Sequence, residues 1–309
     1  MKHRSFTLLL SVVLLLTGSC TSNENQPANA NVEASRIKPP QGLVQAMAAI
    51  EPFFRPMGKP GPYDWLATYR EKGQTFEEYI NENPTVPTET RRTIYIQPLG
   101  KFTLAQSKVI KITAEYISAF YRLPVKLLPE KGFTTPVRPE NFRTGTNTSK
   151  RQIRTGFILD EVLRPILPQD AAALIAFTNE DLFPDASMNY VFGQASLENR
   201  VGVWSLLRLD DAANADTFLH RTLKIAVHEI GHVFGMRHCT KYQCVMSGTN
   251  HLGETDSRPI DACPECMAKV CWMTMTGPKS RYERLTEFCA RNGLKHEAEE
   301  FRRKVEALR

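Results

Sequence analysis

The stretch V-H-E-I-G-H-V-F-G-M-R-H-C-T-K-Y-Q-C-V-M, Val227–Met246, decides how this chain is read. It sets His228 and His232 four residues apart, with Glu229 between them and His238 a further six on. Residues i and i+4 of a helix are neighbours on one face, about 6 Å apart. Two imidazoles so placed can share one zinc at Zn–N distances of about 2.0–2.1 Å. A third ligand has to arrive from another direction to leave an open, roughly tetrahedral position. Gly235 offers the break, because glycine readily adopts φ > 0 and ends a helix. The chain then turns back and brings His238 to the metal. Glu229 adjoins the first ligand, poorly placed to bind the metal but within reach of a water on it. The residues therefore predict amide hydrolysis by activated water, with His228, His232 and His238 as zinc ligands and Glu229 as general base.

The surrounding pattern supports a helix from about Ala215 to Met236. At about 100° per residue, Leu219, Leu223, Ala226, Ile230 and Val233 share one apolar stripe. His228 falls about 180° from Leu219 and His232 about 140° from it, so both face away from the packing side. Histidines that merely fill a core would lie on the stripe. Upstream, Thr93–Gln97 and Val125–Leu128 read as strands flanking an amphipathic helix, Leu104–Phe120. Phe157–Leu163 has helical spacing and stops near Pro165. Ala173–Thr178 reads as a strand, and Asn189–Ser196 with Val201–Leu209 as a hairpin joined by Leu-Glu-Asn-Arg. The order β-α-β-α-β-β-β-α predicts an α+β fold with a mixed sheet, followed by a smaller irregular Cys-rich subdomain. Two charged helices close the chain, separated at Asn292-Gly293. Residues 36–90, with prolines at 39, 40, 52, 56, 60 and 62 and the aromatics Phe53, Phe54, Trp65 and Phe76, read as a segment wrapping over the domain.

Seven cysteines are present, and four are spaced Cys239-x4-Cys244 and Cys263-x2-Cys266. Paired short spacings can close a tetrahedral thiolate zinc site, and Cys263-Pro-Glu-Cys266 has the look of a zinc knuckle. Two disulfides are the other reading, which export would permit. Cys271 and Cys289 are open between a pair and two buried thiols.

Lys2, His3 and Arg4 precede an apolar run from Phe6 to Leu16. As a helix that run rises only about 16 Å, too short for a bilayer core of about 30 Å. With Thr17-Gly18-Ser19-Cys20 after it, it reads as a signal peptide over residues 1–19. The small residues before Cys20 resemble a bacterial lipobox, although Thr17 stands where Leu is usual; an ordinary signal cut near Ser19 is the alternative. Residues 20–35 read as a flexible tether and 36–309 as the catalytic domain, divided into 36–237 and 238–309. The expected location is outside the cytoplasm, with membrane contact only through a lipid on Cys20. A hydrophobic fraction of 42% and a charged fraction of 23% suit a folded domain with a sizeable core. The net charge of +6 is spread along the chain, which argues against a nucleic-acid partner. A monomer is expected.

HEIGHVFGMRHC, CVM, SGTNHL and CPEC together resemble the archaemetzincins, a metzincin-clan family of zinc peptidases. The resemblance extends to Asp64–Leu66, Gly73–Phe76, Ile94–Gly100 and Val191–Ser205, and covers roughly residues 60–275. It implies a catalytic zinc on His228, His232 and His238 with Glu229 as general base. It implies a second, structural zinc on Cys239, Cys244, Cys263 and Cys266, two per chain. It also implies Met246 as an apolar floor beneath the metal, and a cleft whose edge strand pairs with extended peptide; the Asn189–Leu209 hairpin is the candidate. Familiar members of the family lack an export signal, so the N-terminus departs from its pattern. His251 is left outside the site, as a polar loop residue. The expected function is a zinc-dependent peptidase, without a choice between N-terminal trimming and internal cleavage. The alternative is a zinc-dependent peptide-binding lipoprotein without turnover, against which the intact Glu229 speaks.

Overall fold

A computed structural model describes residues 37–133, 138–145, 150–196, 198–210 and 214–309. The expected signal peptide, the tether and Cys20 lie outside the described residues. Ile37–Arg309 forms one compact unit.

The elements follow in chain order: α1 (Gln41–Ile50), α2 (Trp65–Thr68), α3 (Phe76–Asn81), β1 (Thr93–Leu99), α4 (Leu104–Tyr121), β2 (Val125–Leu127), β3 (Phe142–Thr144) and β4 (Arg151–Arg154). Then come β5 (Ala171–Thr178), β6 (Asp181–Phe183), β7 (Gly193–Ser196), β8 (Val201–Ser205), α5 (Ala215–Val233), α6 (Leu252–Ser257), α7 (Pro264–Thr274), α8 (Pro278–Arg291) and α9 (Lys295–Ala307). Five strands form a mixed sheet in the order β2-β1-β5-β8-β7. The first four are parallel, and β7 joins the edge antiparallel to β8. This is the α+β architecture that the element order predicts.

The central strands β1, β5 and β8 are buried along their whole length, as parallel strands covered on both faces must be. Alternate side chains feed two cores. Ile94, Ile96, Ile175 and Trp204 pack towards α4 and α5, while Tyr95, Leu174, Ala176 and Val203 pack against Phe157–Leu163. α4 opens on a capping box, in which Thr103 Oγ1 accepts from Gln106 N at 3.2 Å and Gln106 Oε1 from Thr103 N at 3.0 Å. α5 opens on Asn214, whose side chain accepts from Asp216 N and Thr217 N, both at 3.1 Å.

Three features differ from the sequence expectation. A second sheet, β3-β4-β6, carries strands too short and polar to show an alternation. Phe157–Leu163 winds as a π-helix. Cys263–Thr274, expected as irregular, contains α7, which starts with Pro264 in its first turn, where a missing N–H goes unused. Against α7 packs α1, so the proline-rich segment is partly helical.

Candidate metal centre

α5 delivers the first two histidines as its wheel predicts. Leu223, Ala226, Ile230 and Val233 are fully buried against the sheet, while His228 and His232 are half-buried on the other side. The helix stops at Phe234, and Gly235 takes φ +77°, the left-handed conformation that turns the chain. His238 then swings back, and the ligand atoms of the three rings lie within 4.8 Å of one another.

Each ring is held by its Nδ1. His228 Nδ1 faces Val245 O at 2.8 Å, His232 Nδ1 faces Met236 O at 2.7 Å, and His238 Nδ1 faces the Glu71 carboxylate at 2.9 Å. A carbonyl or carboxylate oxygen can only accept, so these contacts put the proton on Nδ1 and leave Nε2 as a lone pair. His228 Nε2 and His232 Nε2 are 3.0 Å apart. Two lone pairs at that distance repel, and a cation between them removes the conflict. Tetrahedral zinc with N ligands needs a separation of about 3.3 Å, close to what is seen. Burial, then the neighbouring rings, pushes the His228 imidazole well down and His232 to about 4, so both are neutral and able to ligate at pH 7.

Beside them sits Glu229, buried and without a hydrogen bond among the described residues. Burial alone pushes its carboxyl up to about 8. The backbone of β7 passes directly over it: a Cβ at Gly193 would stand 2.9 Å from Glu229 Oε1. On the other side of α5, a Cβ at Gly231 would meet Met246 Sδ at 2.5 Å. Gly231 thus lets Met246 pack flush against the helix below the rings. The rings, Glu229 and Gly193 line a cavity of about 580 Å³, together with Trp65 and Tyr69.

The four spaced cysteines also converge, with all four Sγ atoms within 4.8 Å and every residue buried. Cys239 Sγ and Cys263 Sγ are 3.6 Å apart, and no cysteine pair is bonded among the described residues. A disulfide needs about 2.05 Å, whereas four thiolates around zinc stand about 3.8 Å apart. Backbone N–H groups of Cys263 and Met246 donate to Cys244 Sγ at 3.2 and 3.4 Å. Neighbouring thiols hold Cys239 well below the usual thiol range, while burial pushes Cys244 and Cys263 up. The donor set suits a soft cation. Cys271 and Cys289 are free, buried thiols.

The chain is similar to known proteins along much of its length. The family described as peptidase family M54 matches residues 101–271. Archaemetzincin-2 of Pongo abelii is 33% identical over 281 residues, covering 79% of this chain and 77% of its own. The chain belongs to the archaemetzincin family. It is accordingly a zinc-dependent metallopeptidase. The archaemetzincin of Archaeoglobus fulgidus is 32% identical over 177 residues, 57% of this chain and 98% of that one. The solved archaemetzincin of Methanopyrus kandleri has 25% identity and a TM-score of 0.50, covering 62% of this chain and 98% of its own.

Against this archaemetzincin background, some site residues stand outside the sequence pattern. Glu71 orients His238 from 167 positions away. Burial would raise its carboxyl, but the hydrogen bond and charge of His238 hold it below the usual range. Trp65 packs edge-on against His238 with ring centroids 5.1 Å apart. His251 takes a structural place: its Nδ1 accepts from Glu254 N at 3.1 Å, capping α6, and its Nε2 lies 3.4 Å from Asp64. Asp64, His251 and Glu254 could themselves gather about a cation, but Glu254 Oε2 already accepts from Trp65 N and Asn250 N.

Proposed function

We propose that His228, His232 and His238 hold the catalytic zinc and that Glu229 is the general base. In the same reading Cys239, Cys244, Cys263 and Cys266 hold a second, structural zinc. The observation that carries the reading is the buried carboxyl of Glu229, set beside three imidazoles with free Nε2 lone pairs and directly beneath the edge strand β7. When bound, the catalytic zinc supplies Lewis acidity, polarising a carbonyl and lowering the pKa of water to about 7. Glu229, raised by burial alone, would be brought back towards its carboxylate form by a dication held on the three imidazoles beside it. Glu229 takes the proton of the attacking water and delivers it to the leaving amine. An extended peptide pairing with β7 would lay its backbone across Glu229, with Gly193 leaving the room.

Replacing Glu229 by Gln keeps shape and removes the base. The expected outcome is a fall in kcat of about 10²–10⁴-fold with metal content unchanged, read by peptide hydrolysis and elemental analysis on one preparation. An unchanged rate sinks the assignment.

A further inference from the structure

We infer that the cleft carries a cationic subsite, built from Lys224 and Arg258 beside the imidazole triad, that selects a carboxylate on the substrate close to the scissile bond. The inference rests on the peptidase reading of the same cleft. Lys224 lies one helical turn before His228 on α5, so the two side chains share a face. Both line the 580 Å³ cavity, as does Arg258.

The charges around Lys224 are unevenly matched. The residue is 7% exposed, and its Nζ donates to Thr255 O at 3.0 Å and Asp256 O at 3.1 Å. An ammonium has three donors, and none of the ion pairs of the described residues involves this one. The acids near it are engaged elsewhere. Asp256 is gripped by both nitrogens of Arg221 at 2.8 and 2.7 Å, and Glu297 pairs with His220 at 2.7 Å. Glu254 accepts from Arg258 Nη2 at 3.0 Å, and the buried Nε–H of Arg258 has no partner among the described residues. Burial lowers the Lys224 ammonium only to about 8, so it is charged at pH 7. Among the described residues lining the cavity, Glu229 is the only carboxylate.

The only counter-charge felt by Lys224 is the field of Asp256 and Glu297, both paired elsewhere, and a buried cation matched only in this way gains from an anion that reaches it. In a peptidase cleft that anion comes with the peptide. It is either an Asp or Glu side chain near the scissile bond or the C-terminal carboxylate of a short fragment.

The test uses zinc-loaded protein and peptides carrying Glu, Gln or Lys at each position within two residues of the cleaved bond. Every peptide is made with a C-terminal carboxylate and with a carboxamide. The expected result is a kcat/KM at least about 10-fold higher for Glu than for Gln at one position. In Lys224→Met that ratio falls towards one. Arg258→Gln lowers it part-way and serves if Lys224→Met does not fold. A preference confined to carboxylate over carboxamide termini assigns the same subsite to the end of the chain. Fluorescence anisotropy of labelled Glu and Gln peptides on the Glu229→Gln protein reads the ratio without turnover. Equal rates for Glu and Gln, and for acid and amide termini, overturn the subsite and leave the peptidase reading standing. A preserved binding ratio with no hydrolysis of any peptide by the wild type overturns the peptidase reading and leaves the subsite.

Discussion

The three imidazoles and the four thiols meet at the peptide bond between His238 and Cys239, and the two clusters differ in burial, in ligand number and in what holds them. The imidazoles are half-buried, three in number, and open onto a cavity. Each is oriented from behind by an oxygen on Nδ1. The thiols are four and buried, and two backbone N–H groups point at Cys244 Sγ. A closed four-ligand set suits a structural ion, and a three-ligand set with free space suits a reactive one. The segment 244–246 belongs to both. Cys244 joins the thiols, Val245 O orients His228, and Met246 packs beneath Gly231. Cys239 N also donates to Met246 O at 2.7 Å, tying the loop across the boundary. The buried cluster is thus placed to set the geometry of the open one.

The largest expected effect breaks the buried cluster. Cys263→Ser leaves three thiols in a space closed to solvent and should release one zinc per chain. The loss is expected to exceed about 3 kcal/mol, because structural zinc binding is folding free energy. Thermal unfolding and elemental analysis check it. The same variant should bind the remaining zinc about 10-fold more weakly, since Val245 and Met246 lose their anchor. Retention of both ions and of the wild-type melting temperature would show that the thiols do not brace the imidazoles.

The next effect is confined to the open site. Glu71→Ala removes the acceptor on His238 Nδ1, and zinc affinity there should fall by about 10–100-fold. Competition with a chromogenic chelator measures it. The thiol-bound ion should stay, which separates the two centres. An equal loss from both would mean that Glu71 acts on the fold and not on His238.

Glu71 also marks where sequence reading ends. The histidines, Glu229, Gly235 and the cysteines were legible because their spacings are local, or repeat at short range, and each spacing carries its own geometry. β1, α4 and α5 were legible through long apolar periodicities. Glu71 meets His238 only after the chain has built a whole sheet between them, from a stretch whose prolines give no period. Gly193 is similar, since its need for a bare Cα comes from Glu229 on another element. α7 was hidden because Cys263 and Cys266, read as ligands, masked the helical spacing of Met267, Val270, Cys271 and Thr274, all buried in the structure.

The smallest effect concerns a fourth histidine on the site helix. His220 lies on α5 like His228 and His232 but shifts the other way. The hydrogen bond that its Nε2 donates to Glu297 on α9 at 2.7 Å raises its pKa, whereas burial lowers those of His228 and His232. Glu297 is correspondingly lowered, first by the same hydrogen bond. A raised histidine stabilises the fold fully below its unfolded pKa of about 6.5 and loses that stability as pH rises through the folded value. A lowered carboxyl stabilises fully above about 4.5 and loses that stability as pH falls through the folded value. The pair therefore contributes most between about pH 4.5 and 6.5. Both groups are partly exposed, so solvent screening holds the contribution below about 1 kcal/mol. The melting temperature of His220→Gln should lie below wild type by a few degrees at pH 6, and the gap should narrow by pH 9. Taking the difference between the two proteins cancels the pH dependence of metal binding common to both. A gap that widens with pH would mean that His220 is held neutral like His228 and His232, and the contrast along α5 would be lost.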